Sequence, residues 1–129
     1  MSRRRRDESA AAVVDFVLVM VVLVPLVLGT IQIGLVLHVR NTLTAAASDG
    51  ARYGASLDQS PGDGAQRARD LIDEAIAGGY AEDITAEATE VDGLAGVEVQ
   101  VHAEVPALGL FGPAVSLDVE GHAVDEVLP

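Results

Sequence analysis

The sequence predicts an α+β protein: a long N-terminal transmembrane helix extended into a stalk, a short second helix, and a three-stranded antiparallel sheet packed on the helices. Three observations predict it. An uncharged run from Phe16 to Val39 is long enough to cross a bilayer, and apolar residues keep a helical spacing beyond Arg40. After Tyr80 the apolar period changes to two. The 129 residues suit one small domain with an anchor. They divide into a cytoplasmic arginine-rich leader (1–12), a transmembrane helix (13–39), a helical stalk (40–59) and an acidic extracytoplasmic α+β head (60–129).

Half of the residues are hydrophobic and the mean hydropathy is +0.34, yet the net charge is −12. Apolar and charged residues are therefore segregated. Between Phe16 and Val39 only Thr30, Gln32 and His38 are polar. At about 1.5 Å per residue this run is roughly 36 Å long, against a hydrocarbon core of about 30 Å. Arg3, Arg4, Arg5 and Arg6 precede it, and seventeen of the twenty carboxylates follow Arg40. The positive-inside bias places the N-terminus in the cytoplasm and the acidic part outside, in the cell membrane as a single-pass protein. An acidic head excludes nucleic acid and docking through basic patches. A cleaved secretory signal, cut near Ala45-Ala46-Ala47, is disfavoured because the apolar run far exceeds a signal's usual 7–15 residues. The tandem arginines lack the apolar pair of a twin-arginine signal.

Within the span, Pro25 removes a helix hydrogen bond and is expected to bend the helix. Gly29 and Gly34 serve either close helix packing or flexibility near the proline. Val39, Leu43, Ala46, Ala47, Gly50, Tyr53, Gly54 and Leu57 recur at helical spacing, so one helix is expected from about residue 13 to 56. Tyr53 and Leu57 are expected to lie on the apolar strand face formed by Val99, Val101, Leu117 and Val119.

Ser60-Pro61-Gly62-Asp63 has the form of a helix start: an N-cap serine, proline at the first position and an acid three residues on. Ala65, Ala68, Leu71, Ile72, Ala75 and Ile76 form one apolar face, and Gly78-Gly79 is the expected stop. Three alternating segments follow. Ile84, Ala86 and Ala88 share a face in the first; Val97, Val99, Val101, Ala103 and Val105 in the second; Val115, Leu117, Val119, Gly121 and Ala123 in the third. Asp92-Gly93 and Gly96 turn the first into the second. A sheet with mostly Val and Ala inside is a thin core, which needs the helices as cover. The apolar link from Ala107 to Phe111, between Pro106 and Pro113, either folds back on that core or stands out for a partner or the membrane surface.

Nothing in the sequence supports catalysis. There is no GxSxG, no phosphate loop, no HExxH, and no cysteine for a disulfide or thiolate chemistry. No cofactor and no metal are expected. His102 and His122 fall on polar strand faces. If β-strands two and three pair at positions summing to about 220, His102 faces Asp118 and His122 faces Glu98, as cross-strand charge pairs. Asp15 is the exception to surface solvation. It stands at the lip of the apolar run, where a carboxylate either snorkels to water or pairs with a cation at membrane depth.

The stretch from Glu8 to Val19, Glu-Ser-Ala-Ala-Ala-Val-Val-Asp-Phe-Val-Leu-Val, resembles the prepilin-type start of TadE-like proteins, minor pseudopilins of tight-adherence (Flp-type) pilus systems. In that pattern a small residue, usually Gly, precedes the cut; the fifth residue after it is Glu, followed by an aromatic and a long apolar helix. Asn-Thr-Leu-Thr-Ala-Ala-Ala-Ser-Asp-Gly-Ala-Arg-Tyr-Gly-Ala, from Asn41 to Ala55, is similar to the family's exit from the membrane, and the Val105-Pro106 link is a looser match. The resemblance implies a pilin-like fold and processing between Ala10 and Ala11. It also implies an assembly charge at Asp15, with the aromatic Phe16 after it, that attracts the new amine of a neighbouring subunit. Ala10 stands where Gly is usual and Asp15 where Glu is usual. The function implied is a non-enzymatic pseudopilin-like component of a bacterial pilus or secretion assembly. Its partners would be the lipid bilayer, other pseudopilins or pilin subunits through the N-terminal helix, and a prepilin peptidase. The competing reading is an unprocessed, membrane-anchored extracytoplasmic binding or sensor domain.

Overall fold

The computed structural model describes residues 2–76, 81–106 and 114–127. Its first element, α1, runs from Ser2 to Gly54 without interruption at Pro25, and is long and apolar enough to cross a membrane. It begins well before residue 13 because Arg3–Arg6, Glu8 and Ala10–Ala12 are strong helix formers that carry the helix through the leader. It ends at Gly54, short of residue 56: the next amides bond back over tightened turns (Ser56 N–H to Tyr53 O, 3.2 Å), and Asp58 takes a left-handed φ of 63°.

Helix α2, Pro61–Ala75, starts as its sequence dictates. The Asp63 N–H donates to Ser60 Oγ (3.3 Å) and the Ser60 N–H donates to Asp63 Oδ2 (2.8 Å), closing a capping box with Pro61 in the first turn. Ala68, Ile72 and Ile76 are buried and Ala65 and Leu71 half-buried, but Ala75 is exposed. The helix stops at Ala75 with Ile76 as an extended C-cap, before Gly78-Gly79. Those glycines, Tyr80 and the Ala107–Phe111 link lie outside the described residues. The two helices meet backbone to backbone: a Cβ on Gly50 would sit 2.6 Å from Gly64 O, and one on Gly64 would sit 2.5 Å from Gly50 O.

Strands β1 (Ala81–Val91), β2 (Leu94–Val105) and β3 (Val115–Val124) form an antiparallel sheet in sequence order. Asp92 (φ 52°) and Gly93 (φ 81°) make the two-residue turn between paired Val91 and Leu94, the backbone that a right-twisted hairpin requires. Alternation is cleanest in β2, where Val97, Val99, Val101, Ala103 and Val105 are all buried. Leu117, Val119 and Gly121 are buried in β3, while Val115 is exposed. In the edge strand β1, Ile84 and Ala86 are half-buried and Ala88 is exposed.

The buried strand face packs into one cluster with Val39, Leu43, Ala46, Ala47 and Ala51 of α1 and with Ala68 and Ile72 of α2. Tyr53 and Leu57, expected against this face, are each 43% exposed. The contact stripe advances 39, 43, 46–47, 50–51, 54, and Tyr53 falls off it; Leu57 lies beyond the helix end. At Gly121 a Cβ would lie 2.4 Å from both Ala47 C and Ser48 N, so β3 rides directly on the α1 backbone.

Hydrogen bonds fix both ends of the sheet along α1. The Glu126 N–H donates to Ala55 O (2.8 Å), and the Asp125 N–H to Ala95 O (2.9 Å). At the other end Gln32 Nε2 donates to Pro106 O (3.2 Å), and Leu35 and Val36 join the core. From residue 55 to 32 α1 advances about 35 Å, and from residue 95 to 106 β2 advances about 36 Å. The strand therefore runs alongside the helix, in the opposite direction, for the full length of the head.

Candidate assembly site on the bare helix

Residues 2–31 project from the head as an unaccompanied helix, exposed throughout apart from half-buried Met20. Ala10, Ala11, Asp15 and Phe16 all lie on this projection and are exposed, Phe16 at 62%. Ala11 and Asp15 are four residues apart and so share one helix face, a turn from each other. Among the described residues no ion pair or hydrogen bond engages Asp15. Around it the surface is aliphatic: Val13, Val14, Val17, Leu18 and Val19 are each more than half exposed. Such a surface is compatible with hydrocarbon or with other helices, and a carboxylate within it favours a cationic partner.

The opposite, polar face of the sheet carries the other titratable groups. Opposed pairs are His102–Asp118 and Glu98–His122, the register expected from sequence. His102 Nδ1 lies 2.6 Å from Asp118 Oδ1, and His122 Nε2 lies 2.8 Å from Glu98 Oε2. The hydrogen bond to Asp118 raises the His102 pKa above its ordinary value, assisted by the charges of Asp118, Asp83 and Glu104. Hydrogen bonds from Gln100, first, and from His122 lower that of Glu98.

Glu120 was not singled out by the sequence pattern, although it stands two residues before His122 on the same face. With Glu98 and His122 it brings three ligand-type atoms within 4.8 Å of one another. A closed tetrahedral shell takes four ligands, and two of these three are already bonded to each other. Arg40 and Thr44 of α1 line a polar cleft with Asp83, Gln100, His102, Asp118 and Glu120.

Residues 10–52 match the model of the family described as TadE-like protein. The match lies wholly within α1. It covers the bare projection from Ala10 onward and the stripe that packs on the sheet, and it stops before α2 and the strands. No curated protein and no solved structure gives a significant match.

Proposed function

On the premise that residues 10–52 are a TadE-like segment, we propose that the protein is a non-enzymatic, pseudopilin-like membrane component of a bacterial tight-adherence pilus or secretion assembly. The observation that carries this reading is Asp15. It is a carboxylate without a partner in its own chain among the described residues, on a bare aliphatic helix, one turn from Ala11. Processing between Ala10 and Ala11 by a prepilin peptidase releases an α-amine at Ala11, and that cation on a neighbouring pilin or pseudopilin compensates Asp15 at membrane depth. The arginine-rich leader is cytoplasmic and the acidic head extracytoplasmic, following the charge asymmetry.

Two measurements test the proposal. The purified protein begins at Ala11 if it is processed; a start at Met1 or Ser2 favours the unprocessed anchored binding or sensor domain. In membranes, Asp15→Asn inserts normally but loses crosslinking to pilin or pseudopilin partners, whereas Asp15→Glu retains it. Equal crosslinking by wild type, Asn and Glu removes the charge from the mechanism.

A further inference from the structure

The apolar run from Phe16 to Val39 is not uniformly available to lipid. Its last third, from Gln32 through Leu35 and Val36 to Val39, is covered on one side by the head. The helix that is bare on all sides ends at Ile31. At the level of Gln32 the described residues of the head end in uncharged, exposed Pro106, Ala114, Val115 and Ser116. Glu104, opposite Ser116, is the nearest carboxylate among the described residues. Denser charge begins with Arg40, which shares a cleft with Asp83, His102 and Asp118. Arg40 lies about 12 Å along the helix from Gln32 at 1.5 Å per residue.

From these levels we infer that the uncharged end of the head is a docking surface for the phospholipid headgroups of its own leaflet, and that the hydrocarbon-spanning stretch is about residues 12–31 rather than the apolar run itself. This rests on the membrane-spanning reading of α1 and extends it. About 20 helical residues span a hydrocarbon core of about 30 Å, and a headgroup layer of roughly 5–8 Å then takes in residues 32–36 and the end of the sheet. Arg40 and its neighbouring carboxylates stand just above that layer, in water. Placing the boundary at Val39 would instead drag the polar backbone of the sheet end into hydrocarbon, where only helices and closed barrels are tolerated. At the far end Arg6 stands nearest the other headgroup layer, about 9 Å beyond the hydrocarbon, with Arg3–Arg5 further out. Asp15 then lies about 5 Å inside the hydrocarbon, not at its rim.

The chain has no cysteine, so single cysteines report cleanly. Spin labels at Leu18, Val21, Val24, Val27, Ile31 and Leu37, all exposed positions, are compared in the full chain in phospholipid vesicles for collision with oxygen and with a water-soluble nickel chelate. The oxygen-to-nickel ratio is expected to peak near Val21 and to fall severalfold by Leu37. A peak at Val27, with Leu37 still shielded from nickel, overturns the inference while leaving a spanning helix. Nickel access at every site overturns the spanning helix as well. A fluorophore on Val115→Cys is expected to be quenched by lipid carrying a nitroxide on its headgroup; no quenching overturns the docking surface.

Discussion

His102 and Asp118 face each other across β2 and β3 with Nδ1 and Oδ1 2.6 Å apart, on the side of the sheet away from both helices. Because this contact raises the His102 pKa, the folded state binds its proton more tightly than the unfolded state. The stabilisation is fully present below the unfolded value of about 6.5 and is lost as pH rises through the folded value. In an NMR titration of the full chain in micelles, Asp118→Asn is expected to lower the His102 midpoint and flatten the pH dependence of stability in that window. An unchanged midpoint would remove the contact.

Glu98 behaves with the opposite sign. Its pKa is held down by Gln100 and His122, so its contribution is present above the ordinary glutamate value and is lost as pH falls through the folded one. Gln100→Ala is expected to raise the Glu98 midpoint, read from the side-chain carboxyl shift. His122→Ala should raise it as well, because both the hydrogen bond and the charge of His122 hold the Glu98 pKa down.

Gly121→Ala places a methyl against the carbonyl carbon of Ala47 and the nitrogen of Ser48, where only backbone can give way. Overpacking of this kind costs about 1–3 kcal/mol. Denaturant unfolding in micelles should show it, whereas Gly62→Ala, whose Cβ would meet only Ser60 Oγ at 3.7 Å, should stay near wild type.

Leu43 is fully buried and Leu57 is 43% exposed. Leu43→Ala is expected to destabilise the head by about 2–5 kcal/mol. Leu57→Ala should change stability by less than about 1 kcal/mol, the scale of a surface substitution. Equal losses would place Leu57 in the core after all.

Ser60→Ala removes the acceptor for the Asp63 N–H and half of the capping box. A loss of about 1 kcal/mol is expected, and Ser60→Asp should restore most of it. A neutral Ser60→Ala would mean that α2 is held by packing alone.

Much of this fold is legible in the residues because local chemistry dictates it. The Ser60–Asp63 cap, the Asp92-Gly93 turn and the alternation of β2 each follow from short-range rules, and the β2–β3 register has the sum of 220 under which His102 and His122 face carboxylates. Tyr53 and Leu57 depart from expectation because helical spacing shows which residues share a face, not how far round the helix the contact reaches or where the helix ends. The core stripe of α1 is Val39, Leu43, Ala46, Ala47 and Ala51, while Gly50 and Gly54 let the backbones of α1 and α2 approach. The start of α1 was missed because charge marks a membrane boundary, not a helix boundary. At the candidate assembly site, Asp15 was conspicuous from its cost in an apolar setting. Glu120 was not, since only strand pairing brings it near Glu98 and His122.

The alignment of β2 with α1, tied at Gln32–Pro106 and again beside Ala55, has a mechanical consequence. A pull on the bare helix, as when a subunit is drawn out of a bilayer, acts along the strand direction. The whole helix–sheet seam then bears load in shear, with its contacts strained together, instead of peeling open one at a time. The close approach of Gly121 to the backbone of Ala47 and Ser48 suits that geometry: it leaves little slack, so the head follows its helix as a rigid load.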